Sequence, residues 1–198
     1  GETLKDIVEK MRTKFKVRRF IFVGDRGLFS KENLDLLRQD KTEFIVGMKL
    51  GVVSKRHEEF YDLNRFRMIN ESLHVYEMDY EGDRLIVTWS RARYERDQKA
   101  RADILEKILK KLGSKQAKAE AFISNKSYRR FVRLDGKSKP MLNEKAICED
   151  AKKDGFFGVV TSVKAMSAEE IMMHYKDLWK VEDAFGEFKG STLKTRPV

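Results

Sequence analysis

A chain of 198 residues that is 41% hydrophobic can bury a sizeable core, as one large domain or as a core with an inserted subdomain. Its single cysteine excludes an internal disulfide framework and fits a reducing compartment such as the cytoplasm, and no apolar run approaches the roughly 20 residues of a membrane helix. The net charge of +10 is uneven: residues 84–145 carry 18 Lys and Arg against 7 Asp and Glu, and the remainder carries 24 against 25. A localised basic surface is the footprint of a polyanion, most often nucleic acid, and otherwise a well-solvated face. Cys148 carries no mark of activation and is expected to pack in the core. Both ends of the chain read as cut, which gives the expectation of an internal piece of a longer protein.

Residues Thr3 to Phe15 predict a helix with Leu4, Ile7, Val8 and Met11 on one stripe and Thr3 as its cap. Phe20 to Val23 is a short continuous apolar run, the pattern of a strand buried on both faces, and Gly24-Asp25-Arg26-Gly27 breaks it. Ser30 caps a second predicted helix, Lys31 to Gln39, and Phe44 to Met48 is a second buried strand. Helix–strand–helix–strand order implies parallel strands with helices packed on the sheet. Leu73 to Met78 and Arg84 to Trp89 read as a hairpin around Tyr80-Glu81-Gly82-Asp83. A long basic helix follows, Ala92 to Leu112, with Ile104, Leu105, Ile108, Leu109 and Leu112 on its apolar stripe. Tyr128 to Leu134 reads as a basic strand and Phe156 to Thr161 as a last buried strand. Ser167 caps the final helix, with Glu169 and Glu170 near its start.

That last helix carries the most informative pattern. At about 100° per residue, Ile171, Tyr175, Leu178, Glu182, Phe185 and Lys189 share one face. Most of this face is apolar, so the carboxylate of Glu182 needs a partner: a basic side chain in a structural pair, or a metal ion that other acids also hold. Asp25 is the second acid to single out, because it follows the carboxyl end of a buried strand, where ligand groups collect in open α/β sheets. An aspartate between two glycines also suits a plain turn. Together the two acids offer hard oxygen ligands for Mg²⁺ or Mn²⁺, and a nuclease-type metal pair would require a third acid. Tyr175 and Lys189 lie about two turns to either side of Glu182 and suit phosphate oxygens, with a core aromatic and a snorkelling surface charge as the bland alternatives. His57-Glu58-Glu59 lacks a second ligand at helical spacing, so zinc is not expected. There is no phosphate-binding Gly-rich loop ending in Lys-Ser/Thr and no serine nucleophile elbow.

The stretch FVGDRGLFSKENLDLLRQDKTEFIVGMKL resembles the segment around the second catalytic aspartate of DDE-type insertion-sequence transposases. YKDLWKVEDAFGEFKGSTLKTRPV resembles the segment around their catalytic glutamate, and SRARYERDQKARADILEKILKKL and DGFFGVVTS are also similar to this group. One group of these enzymes carries Tyr, two residues, Arg, three residues, Glu, six residues, Lys. Tyr175, Glu182 and Lys189 match those spacings, and Leu178 stands at the Arg position. The resemblance implies an α/β (α+β) chain with a ribonuclease H-like mixed sheet flanked by helices and a β-rich basic insertion. It implies a first part of the catalytic core in residues 1–50, the insertion in 51–165 and the glutamate-bearing helix in 166–198. Asp25 and Glu182 would be the second and third members of a metal-binding acid triad holding two Mg²⁺ or Mn²⁺ ions, with the first aspartate on a strand ahead of Gly1. The implied partner is double-stranded DNA, at element ends and target, with two copies of the protein in a synaptic complex, no membrane, and a nucleoid location when DNA is bound. A catalytically dead DNA-binding remnant of such a transposase is the alternative.

Overall fold

The protein, seen in a computed structural model, is described over residues 3–17, 19–53, 58–114, 119–136 and 138–178. Thr3 starts the first helix, α1 (Leu4–Thr13), through a reciprocal cap: its backbone N–H donates to Asp6 Oδ2 at 2.9 Å and its hydroxyl accepts from Asp6 N. The bond from the Thr3 backbone N–H, helped by the Thr3 side chain, holds the Asp6 carboxyl below its ordinary pKa. Then come β1 (Ile21–Gly24), α2 (Lys31–Gln39) and β2 (Glu43–Met48). Ser30 caps α2 through its hydroxyl, which accepts from Asn33 N at 3.2 Å. The short α3 (Leu50–Val53) follows. The chain continues through β3 (Arg67–Asn70), β4 (Leu73–Tyr80), β5 (Asp83–Ser90), α4 (Arg91–Leu112), α5 (Glu120–Ile123) and α6 (Lys126–Arg129). It finishes its described course with β6 (Val132–Leu134), β7 (Pro140–Leu142), α7 (Glu144–Ala151), β8 (Phe156–Thr161) and a helix over residues 168–178, α8.

The main sheet has six strands in the order β1-β2-β8-β5-β4-β3. β1 and β2 are parallel, with Ile21 opposite Glu43 and Gly24 opposite Val46, as the helix–strand alternation predicts. β8 is antiparallel to β2, with Ile45 opposite Thr161 and Met48 opposite Gly158. A mixed sheet of this kind, flanked by helices, is a ribonuclease H-like arrangement. The β4–β5 turn is built on Glu81 and Gly82, both at positive φ (54° and 85°), the conformation a two-residue hairpin of right-twisted strands requires.

By contacts the chain divides into two compact units, one from Gly1–His57, Val75–Val87 and Phe157–Val198, the other from Glu58–His74 and Thr88–Phe156. In the first, Leu4 and Val8 of α1 and Leu34 and Leu37 of α2 pack on Phe44, Val46 and Val160 of the sheet. Arg38 of α2 is fastened to Asp83 at 3.0 Å through Nε and to Asp35 at 2.6 Å. In the second, Ile108 of α4 meets Phe122 and Phe131, with Ile104, Leu105 and Leu112 around them. The contact division groups part of segment 51–165, namely 51–57, 75–87 and 157–165, with the first unit.

Three expectations are corrected here. Tyr128 is helical, in α6, and the strand starts only at Val132: Asn125 accepts from the N–H groups of Ser127 and Tyr128 and caps a helical turn. Leu109 is 54% exposed although it lies on the predicted stripe, since the apolar face of α4 is narrower than the pattern suggests. Cys148 is exposed on α7, not packed in the core.

Arg101, on α4, is buried, and its two Nη atoms donate to the two carboxylate oxygens of Asp154 at 2.6 and 2.5 Å. These bonds raise the Arg101 pKa above its ordinary value, against the opposing effect of burial. Asp154→Ala leaves most of that charge without its partner, with Asp150 at 3.5 Å as the other carboxylate beside it among the described residues. A loss of about 3 kcal/mol, near the lower end of what breaking a buried pair costs, is expected as a lowered thermal midpoint. An unchanged midpoint would show that the pair does not hold this unit together.

Candidate active site

The carboxyl ends of β1 and β2 converge because the strands are parallel and in register, so residues 25–26 and 47–48 come to the same edge. Asp25 is the first residue past β1 and is exposed. Its Oδ1 accepts from Gly27 N at 2.9 Å, and its backbone carbonyl accepts from Leu28 N at 3.2 Å, so it closes the turn. Oδ2 carries no hydrogen bond among the described residues. The turn and ligand readings of Asp25 are therefore compatible: one oxygen shapes the loop and the other has no hydrogen bond among the described residues.

Arg26 follows. Its guanidinium carbon stands 5.9 Å from the centroid of the Phe157 ring, and its stem runs against Gly47 of β2. Gly47 is a close-approach glycine. A Cβ there would lie 2.9 Å from Arg26 Cγ and would collide with the Tyr175 hydroxyl. Tyr175, from α8, is buried, and its ring meets that of Phe157 at 5.1 Å and 43°. Three elements thus meet around Gly47: the β1 turn, β2 and α8.

The segment before α8 is pinned. Arg84 donates to the carbonyls of Val163 and Met166 at 2.9 and 2.8 Å, and Thr161 Oγ1 donates to the Phe44 carbonyl at 2.6 Å. Ser167 and Glu170 form a reciprocal cap at the start of α8, with bonds of 2.8 and 3.2 Å. Since β8 ends opposite Ile45 and Tyr175 lies at Gly47, α8 travels toward the carboxyl ends of β1 and β2.

Of the four residues singled out in the sequence, the structure places Asp25 at the strand ends and Tyr175 in the wall beside them. Glu182 and Lys189 lie outside the described residues. Among the described residues no three of His, Cys, Asp and Glu converge as a metal site would require. Two grooves stand out among the described residues, and neither is lined by Asp25. One of about 700 Å³ runs between α1 and α2, lined in part by Arg12, Leu36 and Asp40. One of about 500 Å³ lies toward the amino ends of the strands, lined in part by Arg19, Phe20, Glu43 and His174.

Residues 1–196 match the family described as the transposase DDE domain. The chain belongs to this family. Membership of the DDE transposases makes DNA the expected substrate class and divalent cations the general requirement of the chemistry. No curated protein and no solved structure matches the chain. Among the described residues no helix is long and apolar enough to cross a membrane.

Arg26 and Gly47 were missed as site residues by the sequence reading. Their only signals were an arginine inside the strand-ending GDRG and a glycine interrupting the apolar run FIVGM. Gly47→Ala is expected to cost about 1–3 kcal/mol by overpacking, and Tyr175→Phe in the same background to recover part of it, because it removes the nearest colliding atom. Urea unfolding midpoints of the four proteins in this cycle check it. Strict additivity would show that the two residues do not press on each other.

Proposed function

We propose that this chain is the catalytic region of a DNA transposase of the Tyr-Arg-Glu-Lys group, and that Asp25 and Glu182 are two of its three metal-holding carboxylates. The observation that carries the reading is the heading of α8: Tyr175 sits against Gly47 and Arg26, next to Asp25, and the helix points past the strand ends. In this reading the helix would run on in the same phase, so that Glu182, seven residues and about 10 Å beyond Tyr175 and outside the described residues, would reach that edge. The third carboxylate would come from a strand beside β1, in a portion of the protein ahead of this chain. β1 is an outer strand of the sheet, and Ile21, Phe22 and Val23 are only partly buried, which supports an added strand there.

The carboxylates of Asp25 and Glu182 would hold two Mg²⁺ or Mn²⁺ ions, to which hard oxygen ligands are suited. Such ions supply water activation and stabilisation of the attacking and leaving oxygens in phosphoryl transfer. Hydrolysis at an element end frees a 3′-hydroxyl, which then attacks a target phosphodiester. Lys189 would neutralise a phosphate, whereas Tyr175, buried with its hydroxyl against Gly47, would act on the DNA from the wall of the site, by holding α8 in place. The second unit would hold the DNA backbone. Lys107, Lys111, Lys126, Arg129 and Arg133 are exposed, and Lys111 Nζ lies 4.8 Å from the Tyr128 ring centroid, which joins the last turn of α4 to α6. Two copies would synapse two element ends.

In a protein that includes the upstream strand, Asp25→Ala and Glu182→Ala are each expected to reduce metal-dependent strand cleavage to background while leaving DNA affinity nearly unchanged. Wild-type cleavage rates in either variant would contradict the assignment. Salt-sensitive DNA binding with no cleavage by the unaltered protein, in either metal, would favour the dead DNA-binding remnant.

A further inference from the structure

Most of the well-anchored arginines of the described structure have protein acceptors. Arg12 bonds Asp40, Arg38 bonds Asp83, Arg84 bonds two carbonyls and Glu77, and Arg101 bonds Asp154. Arg26 differs. Among the described residues its guanidinium forms no hydrogen bond and no ion pair, and the neighbouring Asp25 directs Oδ1 to Gly27 N instead. Nor is Arg26 a free surface chain. Its stem lies against Gly47, where Tyr175 closes the other side, and its head stands over the Phe157 ring. The fork is thus held at the strand ends with its donors open to solvent, beside the one candidate metal ligand the described structure contains. A guanidinium fits two phosphate oxygens at once, and a stem already fixed loses little freedom on binding them.

We propose that Arg26 is a phosphate-positioning residue of the candidate site, holding one phosphodiester of bound DNA at the Asp25 edge. This rests on the transposase reading above and adds to it a residue with a separate test. The test measures binding of the whole chain to a short fluorescein-labelled duplex by anisotropy, over a series of salt concentrations. A matching set of duplexes each carries one neutral methylphosphonate in place of one phosphate. For the unaltered chain, one position is expected to weaken binding about ten-fold. Arg26→Ala is expected to bind the ordinary duplex about ten-fold more weakly, to flatten the logarithmic salt slope by about 0.9, and to be indifferent to the methylphosphonate at that position. Arg26→Lys should keep the slope but regain only part of the affinity, since it restores charge without the fork. A variant that has merely lost structure would still respond to the methylphosphonate or bind at no position. Thermal unfolding identifies it, and Arg26→Lys then carries the comparison. If Arg26→Ala binds as the unaltered chain does, or keeps the full methylphosphonate response, the role of Arg26 is overturned and the transposase reading stands. If the unaltered chain binds no duplex, both fall together.

Discussion

The approach of Tyr175 to Gly47 is the contact on which the placement of the candidate site depends. A side chain of any size at residue 47 would push α8 off β2, or push the Arg26 stem out over the turn. With glycine there, the Tyr175 hydroxyl comes down onto the strand and its ring settles on Phe157. Protein interiors do not deform continuously, so a close contact of this kind fixes the height and the rotation of a helix together. The cap at Ser167 and the grip of Arg84 on Val163 and Met166 fix the other end. Between them the path of α8 over the sheet is determined, as far as residue 178.

The two compact units handle charge differently. In the first, Arg12, Arg38 and Arg84 tie helices and loops to carboxylates and carbonyls. In the second, the basic excess seen in the sequence is partly neutralised, by Asp154 and Asp150 at Arg101 and by Asp150 at Arg130. What remains exposed is concentrated on α4 and α6, on a framework held by Ile108, Phe122 and Phe131. A rigid cationic surface of this sort suits a regular backbone of phosphates better than it suits a sequence-reading contact, because phosphate contacts position a duplex without specifying its bases.

Much of this was legible in the sequence because the signals were local. Thr3, Ser30 and Ser167 cap helices where the pattern placed them, FIVGM is a buried strand, and Glu81-Gly82 makes the predicted turn, whereas FIFV, expected to be buried on both faces, forms an outer strand that is mostly only partly buried. Parallel pairing of β1 and β2 followed from the alternation of helix and strand. The failures were of two kinds. Where a side chain competes locally with the pattern, as Asn125 does by capping α6, a basic strand was expected and a helical turn formed. Where the determinant lies far away in the chain, periodicity carried no information: Gly47 matters because of Tyr175, and Arg101 is buried because of Asp154. The candidate site divides along the same line. Asp25 could be found from its strand end, whereas the role of Arg26 depends on a ring and a glycine that only folding brings to it.

The central claim is that the carboxylates of residues 25 and 182 meet at one edge of the sheet. Its most direct test replaces both with cysteine, exchanges Cys148 for serine, and treats the native protein with a short bifunctional thiol reagent. Rapid intramolecular cross-linking of residues 25 and 182, lost on unfolding, is the predicted result. Failure to cross-link in the folded protein, with both thiols shown to be reactive, would contradict the account.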